Sequence, residues 1–384
     1  MQFVSAISLE VDPSRIAQDI HDQLGADGPF DLVVVFVRPQ TDPRGDEVLS
    51  GLYEQLTPGC FIGCTAGGVV GAGREIEDDT ATAVLAARLP GVRVDPLPDL
   101  DDDAVSLETD DLQACIVLVD PFSTATEALL HRLDQLAPGI PVIGGVASWA
   151  SAPGRNRLAQ DGAVANTGLV GVTLRGNVRV STIVSQGCRP VGDWFTVTSS
   201  RSNLVQELDG KPPLEVLQQV FSEASPDDQK LMRSGILLGR GVAQQPDDLG
   251  HGSFIIRVVL GADRESGAIS VADRVREGEF VQFHVRDAQS ARDDLEMLLT
   301  PQVFEETAAG ALLFTCNGRG ERFFEERDAD IAIISNALGE HVPVAGFFCG
   351  GEIGPIGSAN FVHGYTASLA VFRPASSPGP TAEV

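Results

Sequence analysis

His341-Val-Pro-Val-Ala-Gly-Phe-Phe-Cys-Gly-Gly351 is an apolar run that opens near a proline and closes on a glycine pair. Such a run, bounded by turn residues, reads as a buried strand, with the glycine pair as its turn. Ahead of it lie a strand, Ala311-Leu-Leu-Phe-Thr-Cys316, and a helical stretch, Asp328–Leu338. Behind it Tyr365-Thr-Ala-Ser-Leu-Ala-Val-Phe372 closes the unit as another strand. The same order stands twice nearer the N-terminus. Asp31–Val37, a helical stretch around Gly45–Leu56, Pro58-Gly-Cys-Phe-Ile-Gly-Cys-Thr-Ala-Gly-Gly68 and Thr80–Ala87 form one copy. Ala114–Asp120, Thr124–Leu136, Pro138-Gly-Ile-Pro-Val-Ile-Gly-Gly145 and Gly168–Leu174 form the next. Ala128, Leu129, Leu133 and Leu136 keep helical spacing. The intervals are too uneven for a solenoid. The pattern predicts a diverged internal duplication of a β-α-β-β unit. The fold class is α/β (α+β mixed), with two domains of mixed β-sheets and packed helices.

Different material separates the second and third copies. Asn177–Ser185, Trp194–Thr198, Leu204–Gly210, Phe254–Leu260, Ala268–Ala272 and Phe280–Val285 read as strands, and Leu214–Phe221 and Ala288–Leu299 as helices. The polar stretch Ser222–Gln229 is the expected linker, which divides the chain into domains 1–222 and 223–373. The Pro/Ser-rich tail 374–384 is expected to be disordered.

Twenty-seven Lys and Arg against 54 Asp and Glu leave a net charge of −27 in 384 residues. That balance disfavours nucleic acid and anionic membrane surfaces as partners. Lys211 and Lys230 are the only lysines, and neither sits in a phosphate loop. The six cysteines (Cys60, Cys64, Cys115, Cys188, Cys316, Cys349) form no C-x-x-C pair and no disulfide framework, so a reduced, cytoplasmic protein is expected. Met1–Arg15 has neither a basic nor a long apolar region, so no signal peptide is expected there. No run is long enough to span a bilayer. The histidines fall at spacings that suggest no metal site, and no cofactor is expected; His251 is one of the six.

The glycine turns carry the chemistry. A glycine pair after a buried strand frees backbone N–H groups to point into a cleft, and such nests take carboxylate or phosphate oxygens. Taken singly, each turn reads as simple close packing. Cys64, Thr65, Gly67, Gly68, Gly350 and Gly351 are therefore candidate ligand contacts. In Thr315-Cys-Asn-Gly-Arg-Gly320, Arg319 lies between glycines and reads as a mobile carboxylate clamp beside Asn317. Cys316 reads as a buried thiol or, less favoured, a nucleophile. Glu352, in Cys349-Gly-Gly-Glu-Ile353, needs a partner if buried, either an arginine or a ligand ammonium. Asp287, just before a helix, divides evenly between an N-cap and a second ammonium contact.

At these strings the chain resembles the FIST family. Ile62-Gly-Cys-Thr-Ala-Gly-Gly68, Leu313-Phe-Thr-Cys-Asn-Gly-Arg-Gly320, and Gly346-Phe-Phe-Cys-Gly-Gly-Glu-Ile-Gly-Pro355 followed by Tyr365-Thr-Ala carry the resemblance. Gly278-Glu-Phe-Val-Gln-Phe and Arg286-Asp287 add to it, and it runs from about residue 28 to residue 373. It implies an N-terminal FIST domain over 1–222 and a C-terminal one over 223–373. It also implies an intracellular sensory module that binds a small ligand such as an amino acid. No output domain fits within this length, so signalling through a separate protein is the expectation. A cysteine-dependent enzyme and a protein-interaction scaffold are the alternatives.

Overall fold

The computed structural model describes residues 1–25, 28–41, 44–100, 102, 104–242 and 252–375. His251 and residues 376–384 of the expected disordered tail lie outside the described residues. The chain divides into two compact units. The first comprises Met1–Val184, Leu295–Val362 and Thr366–Val384; the second comprises Ser185–Asp294 with His363–Tyr365. The units do not follow a single cut near residue 222. That position lies between the helices Pro213–Glu223 and Pro226–Ser234, both inside the second unit. Ser225 caps the latter helix through the Asp228 N–H, so the polar stretch is a helix–helix turn rather than a linker.

The first unit contains the three copies. Each has a parallel strand pair joined by a helix, then a hairpin, then a strand that returns antiparallel to the first. The parallel pairs are Leu32–Arg38 with Cys60–Thr65, Leu112–Val119 with Val142–Val146, and Gly310–Cys316 with Val344–Cys349. Ala81–Arg88, Leu169–Gly176 and Thr366–Arg373 are the returning strands. Gln2–Ser8, Val92–Pro96 and Arg179–Gln186 lie outside them as edge strands.

The hairpins are exchanged. The first copy's hairpin, Val69–Gly71 with Arg74–Ile76, pairs with Val344–Cys349 of the third copy. The third copy's hairpin strand Glu352–Ile356 pairs with Val142–Val146 of the second. The second copy's hairpin, Leu158–Gln160 with Ala163–Ala165, pairs with Cys60–Thr65 of the first. Each six-stranded sheet is therefore completed by a neighbouring copy, and the exchange closes on itself.

Alternation places successive side chains on opposite faces of each strand. Leu32, Val34, Phe36, Ile62, Ile116, Leu118, Leu312, Phe314 and Phe347 turn inward to one core shared by the three sheets. Phe36 stacks on Phe347 at 4.9 Å between centroids, and Phe314 meets both rings edge-on. Val33, Val35, Val37 and Phe61 turn outward beneath Ile16, Ile20, Leu49 and Leu52 of the helices Pro13–Leu24 and Arg44–Leu56. The sequence reading assigns neither the strand Gln2–Ser8 nor the first helix, although Asp12 caps that helix, Pro13 opens it and Gly25 follows its end.

The glycine pair of the second copy is not a turn. Gly144 and Gly145 lie inside strand Val142–Val146. A Cβ at Gly144 would meet the Val117 carbonyl oxygen at 1.8 Å, and one at Gly145 would meet Cys349 Sγ at 2.4 Å. Close approach of backbone to backbone requires glycine at 144. Gly144→Ala is expected to destabilise by about 1–3 kcal/mol, the range of an overpacked core. Gly51, with open space around it, is the control, because Gly51→Ala in a helix is expected to be neutral or stabilising. Urea midpoints measure both; equal midpoints for the two variants would refute the close-approach argument.

The second unit, taken by itself, holds a closed barrel. Its strand order is Cys188–Arg201, Leu204–Leu208, Ile269–Val271, Phe254–Ala262, Leu237–Gly241, Phe280–Arg286. Val191, Val197, Val205, Val281, Phe283 and Val285 form its core together with Val216, Val220 and Met232 of the two helices. The expected strands are present; their closure was not legible. Among the described residues, no helix is long and apolar enough to cross a membrane.

Candidate functional site

The parallel pairs of the first unit end at matching register positions: Val37 opposite Thr65, Val119 opposite Val146, and Cys316 opposite Cys349. Hydrogen bonds tie these ends together. Gly350 N donates to Val146 O and Val146 N to Gly351 O, both at 2.9 Å. Gly67 N donates to Ser148 Oγ at 2.9 Å, and that hydroxyl donates to Phe348 O. Phe348 N returns to Gly68 O at 3.0 Å, and Asn317 N donates to Cys349 O at 2.9 Å. Arg38 Nε donates to Gly67 O at 2.6 Å. The carboxyl ends of parallel strands are where open α/β sheets hold ligands, and here three such ends converge.

Asn317 and Gly350 are exposed at this rim, and Gly67, Ser148, Trp149 and Arg38 are partly exposed. A Cβ on Gly67 would stand 3.0 Å from Asn317 Oδ1. Gly68 serves packing, since a Cβ there would meet the Phe348 ring at 2.8 Å and Ile76 O at 2.9 Å. Gly351 is buried. Cys64 is fully buried and its thiol pKa is pushed well up by that burial. Thr65 is buried with its hydroxyl accepting the Arg157 N–H at 2.8 Å.

Beneath the rim lies a charged network. Arg319 is 1% exposed, so it is not the mobile clamp expected from its flanking glycines. Its guanidinium bonds Asp330 through Nε at 2.8 Å and Nη2 at 2.7 Å, and Thr315 Oγ1 donates to the same carboxylate at 2.8 Å. Nη1 has no hydrogen-bond partner, and the guanidinium carbon stands 5.1 Å from the Phe324 ring centroid. The carboxylate that Arg319 holds is thus an internal one.

Glu352 is fully buried. Its Oε2 accepts from Thr366 N at 3.1 Å and Thr366 Oγ1 at 2.9 Å. Burial pushes its pKa up to about 8, against the opposing pull of the Thr366 bonds, the Arg319 charge and the Cys316 thiol. Near neutral pH it is a carboxylic acid, so it cannot serve as an anionic seat for an ammonium. Glu75 behaves alike: burial raises it to about 8, with Asp330 adding to the rise, while Ile331 N donates to its Oε1 at 2.8 Å. Cys316, partly exposed, accepts from Gly318 N at 3.4 Å.

Asp287 belongs to the second unit, whereas the rim is built from residues of the first. It caps helix Ala288–Leu299, accepting from Gln289 N at 3.2 Å and Ser290 Oγ at 2.8 Å, and it pairs with Arg189 at 2.8 Å. Those bonds hold its pKa below the usual range despite partial burial. Its carboxylate is thus taken up by the helix start and by Arg189, which it shares with Asp228, and the N-cap is the role the geometry gives it.

Sequence reasoning missed Ser148, Trp149, Arg38 and Asp330. Register would have found the first, because Ala147-Ser148 occupies the place of Ala66-Gly67 and Gly350-Gly351. Two cavities of the first unit open elsewhere. One of about 700 Å³ is lined by Leu97, Leu100, Ser123, Ala128, Leu129 and Arg132. Another of about 510 Å³ is lined by Leu9, Val11, Arg15 and Arg74 among others. Among the described residues, no cluster of three His, Cys, Asp or Glu is placed to hold a metal.

Fold and site together define a triplicated α/β protein with its polar groups gathered at strand ends. A FIST N domain matches residues 31–211 and a FIST C domain residues 213–355, and the chain belongs to the FIST family. The two matches meet inside the stretch that forms the barrel unit. FIST domains are associated with sensing in signal transduction. An uncharacterized protein of Mycobacterium tuberculosis is 38% identical over 369 residues, covering 94% of this chain and 95% of its own length. An uncharacterized protein of Mycobacterium bovis is 38% identical over 366 residues, covering 93% and 94%.

Proposed function

We propose that this protein is a stand-alone cytoplasmic sensor that binds a small ligand, such as an amino acid, at the rim where the three strand ends converge, and signals through a separate protein. The convergence itself carries the reading. It gathers exposed backbone at Gly350, an exposed amide at Asn317 and a guanidinium at Arg38 within one hydrogen-bonded cluster. The Arg38 guanidinium suits a carboxylate, and the exposed Asn317 side-chain oxygen suits an ammonium. Arg319, Asp330 and Glu352 support the rim from beneath rather than touching the ligand.

A thermal-shift screen against the twenty amino acids and common metabolites tests this. A ligand at 100 times its Kd stabilises by about 2.7 kcal/mol. One coherent class of hits is expected, with Kd raised at least tenfold in Asn317→Ala and in Gly350→Leu. Gly350 tolerates a side chain, since its nearest neighbour would be 3.6 Å from a Cβ. The 700 Å³ cavity has a volume that suits a small molecule and is the second reading. Hits that survive both rim variants but are lost in Ala128→Phe would move the site there. A silent screen would remove both.

A further inference from the structure

Cys316 is partly exposed, whereas the other five cysteines are buried. Three groups converge on its sulfur. Gly318 N–H donates to Sγ at 3.4 Å. The Arg319 guanidinium lies close enough for its charge to act on Cys316. The fully buried Glu352 carboxyl is near enough for the Cys316 thiol to act on its protonation, with Oε2 committed to Thr366 and Oε1 without a hydrogen-bond partner. A donor and a cation favour a thiolate, and a neutral acid stands beside it with a proton to give.

That arrangement fits one kind of covalent step. We propose that Cys316 is a peroxide-reactive thiol, oxidised to a sulfenic acid by small hydroperoxides, with Glu352 as the proton donor to the departing oxygen. The Cys316 thiolate attacks the terminal oxygen of the hydroperoxide; the S–O bond forms as the O–O bond breaks. The leaving alkoxide takes the Glu352 proton and departs as the alcohol, or as water when the oxidant is hydrogen peroxide. The proton first released from the thiol restores Glu352. Sulfur loses two electrons and the peroxide gains them. Cys349 stands opposite Cys316 in the strand register, but burial holds its thiol protonated, so the sulfenic acid is not consumed by a disulfide.

This step needs no bound ligand, so a silent ligand screen and an unreactive thiol are separate failures. The full-length reduced protein is treated with hydrogen peroxide, trapped with dimedone and mapped by peptide mass spectrometry. A single adduct on the Cys316 peptide is expected, forming at least tenfold faster than on free cysteine. The wild-type rate falls above pH 8 as Glu352 loses its proton. Glu352→Gln is expected to slow the reaction about a hundredfold, as for loss of a general acid, and to leave a rate that only rises with pH. Adducts spread over other cysteines overturn the proposal. So does a wild-type rate that climbs steadily through pH 8, a measurement that needs no variant. An unchanged rate in Glu352→Gln also overturns it.

Discussion

Asp330→Ala is expected to destabilise the protein by about 3–5 kcal/mol, because it leaves the guanidinium of Arg319 buried without its counter-charge. Both partners are essentially inaccessible, with 0% and 1% of their side chains exposed. The same substitution strips Thr315 Oγ1 of its acceptor. In the wild type burial holds the pKa values of the nearby Glu75 and Glu352 carboxyls up at about 8, so Asp330 is the carboxylate that Arg319 bonds. Arg319→Met combined with Asp330→Leu removes both charges at similar volume. Such double replacements are often neutral or stabilising, so the pair is expected to recover most of the loss. Urea unfolding of the single and double variants gives the coupling energy. A single variant within about 1 kcal/mol of wild type would mean that water reaches Arg319, and the buried-network description would fail.

That pair shows where the sequence stops being readable. The three copies were legible because strand alternation, helical spacing and the proline and glycine boundaries are all local signals. The exchange of hairpins was not, because it pairs residues such as Gly71 and Ala345 that lie far apart in the chain. Closure of the barrel depends likewise on Cys188–Arg201 meeting Phe280–Arg286. Within the site, the glycines around Arg319 suggested openness. Its burial is set by Asp330 on the following helix and by the Phe324 ring, neither of which marks itself in sequence. Glu352 was different: a carboxyl after a glycine pair in an apolar stretch had to find partners. The partners turned out to be Thr366 and Cys316 rather than a cation, and protonation made that sufficient.

The same protonation fixes a pH dependence. Glu352 and Glu75 have pKa values of about 8 in the folded protein, against about 4.3 for glutamate in an unfolded chain. Between those values the folded state binds more protons than the unfolded state, so stability falls as pH rises. His284 opposes them over part of the range. Burial lowers it to about 4, so it contributes stability above the unfolded histidine pKa of about 6.5 and loses it as pH falls toward 4. From pH 6.5 to 8 the carboxyls act unopposed. Above pH 8 the buried thiols of Cys60 and Cys115, raised to about 11 and about 12, add a loss of the same sign. Across pH 6.5–8 the two carboxyls together are expected to cost about 3 kcal/mol. Glu352→Gln keeps an oxygen for Thr366 and carries no charge at any pH, so it should remove about half of that slope and exceed the wild type in stability at pH 8. Chemical denaturation at quarter-unit pH steps measures it. A wild-type stability that is flat or rising from pH 6.5 to 8 would show that Glu352 is ionised in the folded state, and the acid beside Cys316 would lose its proton as a working group.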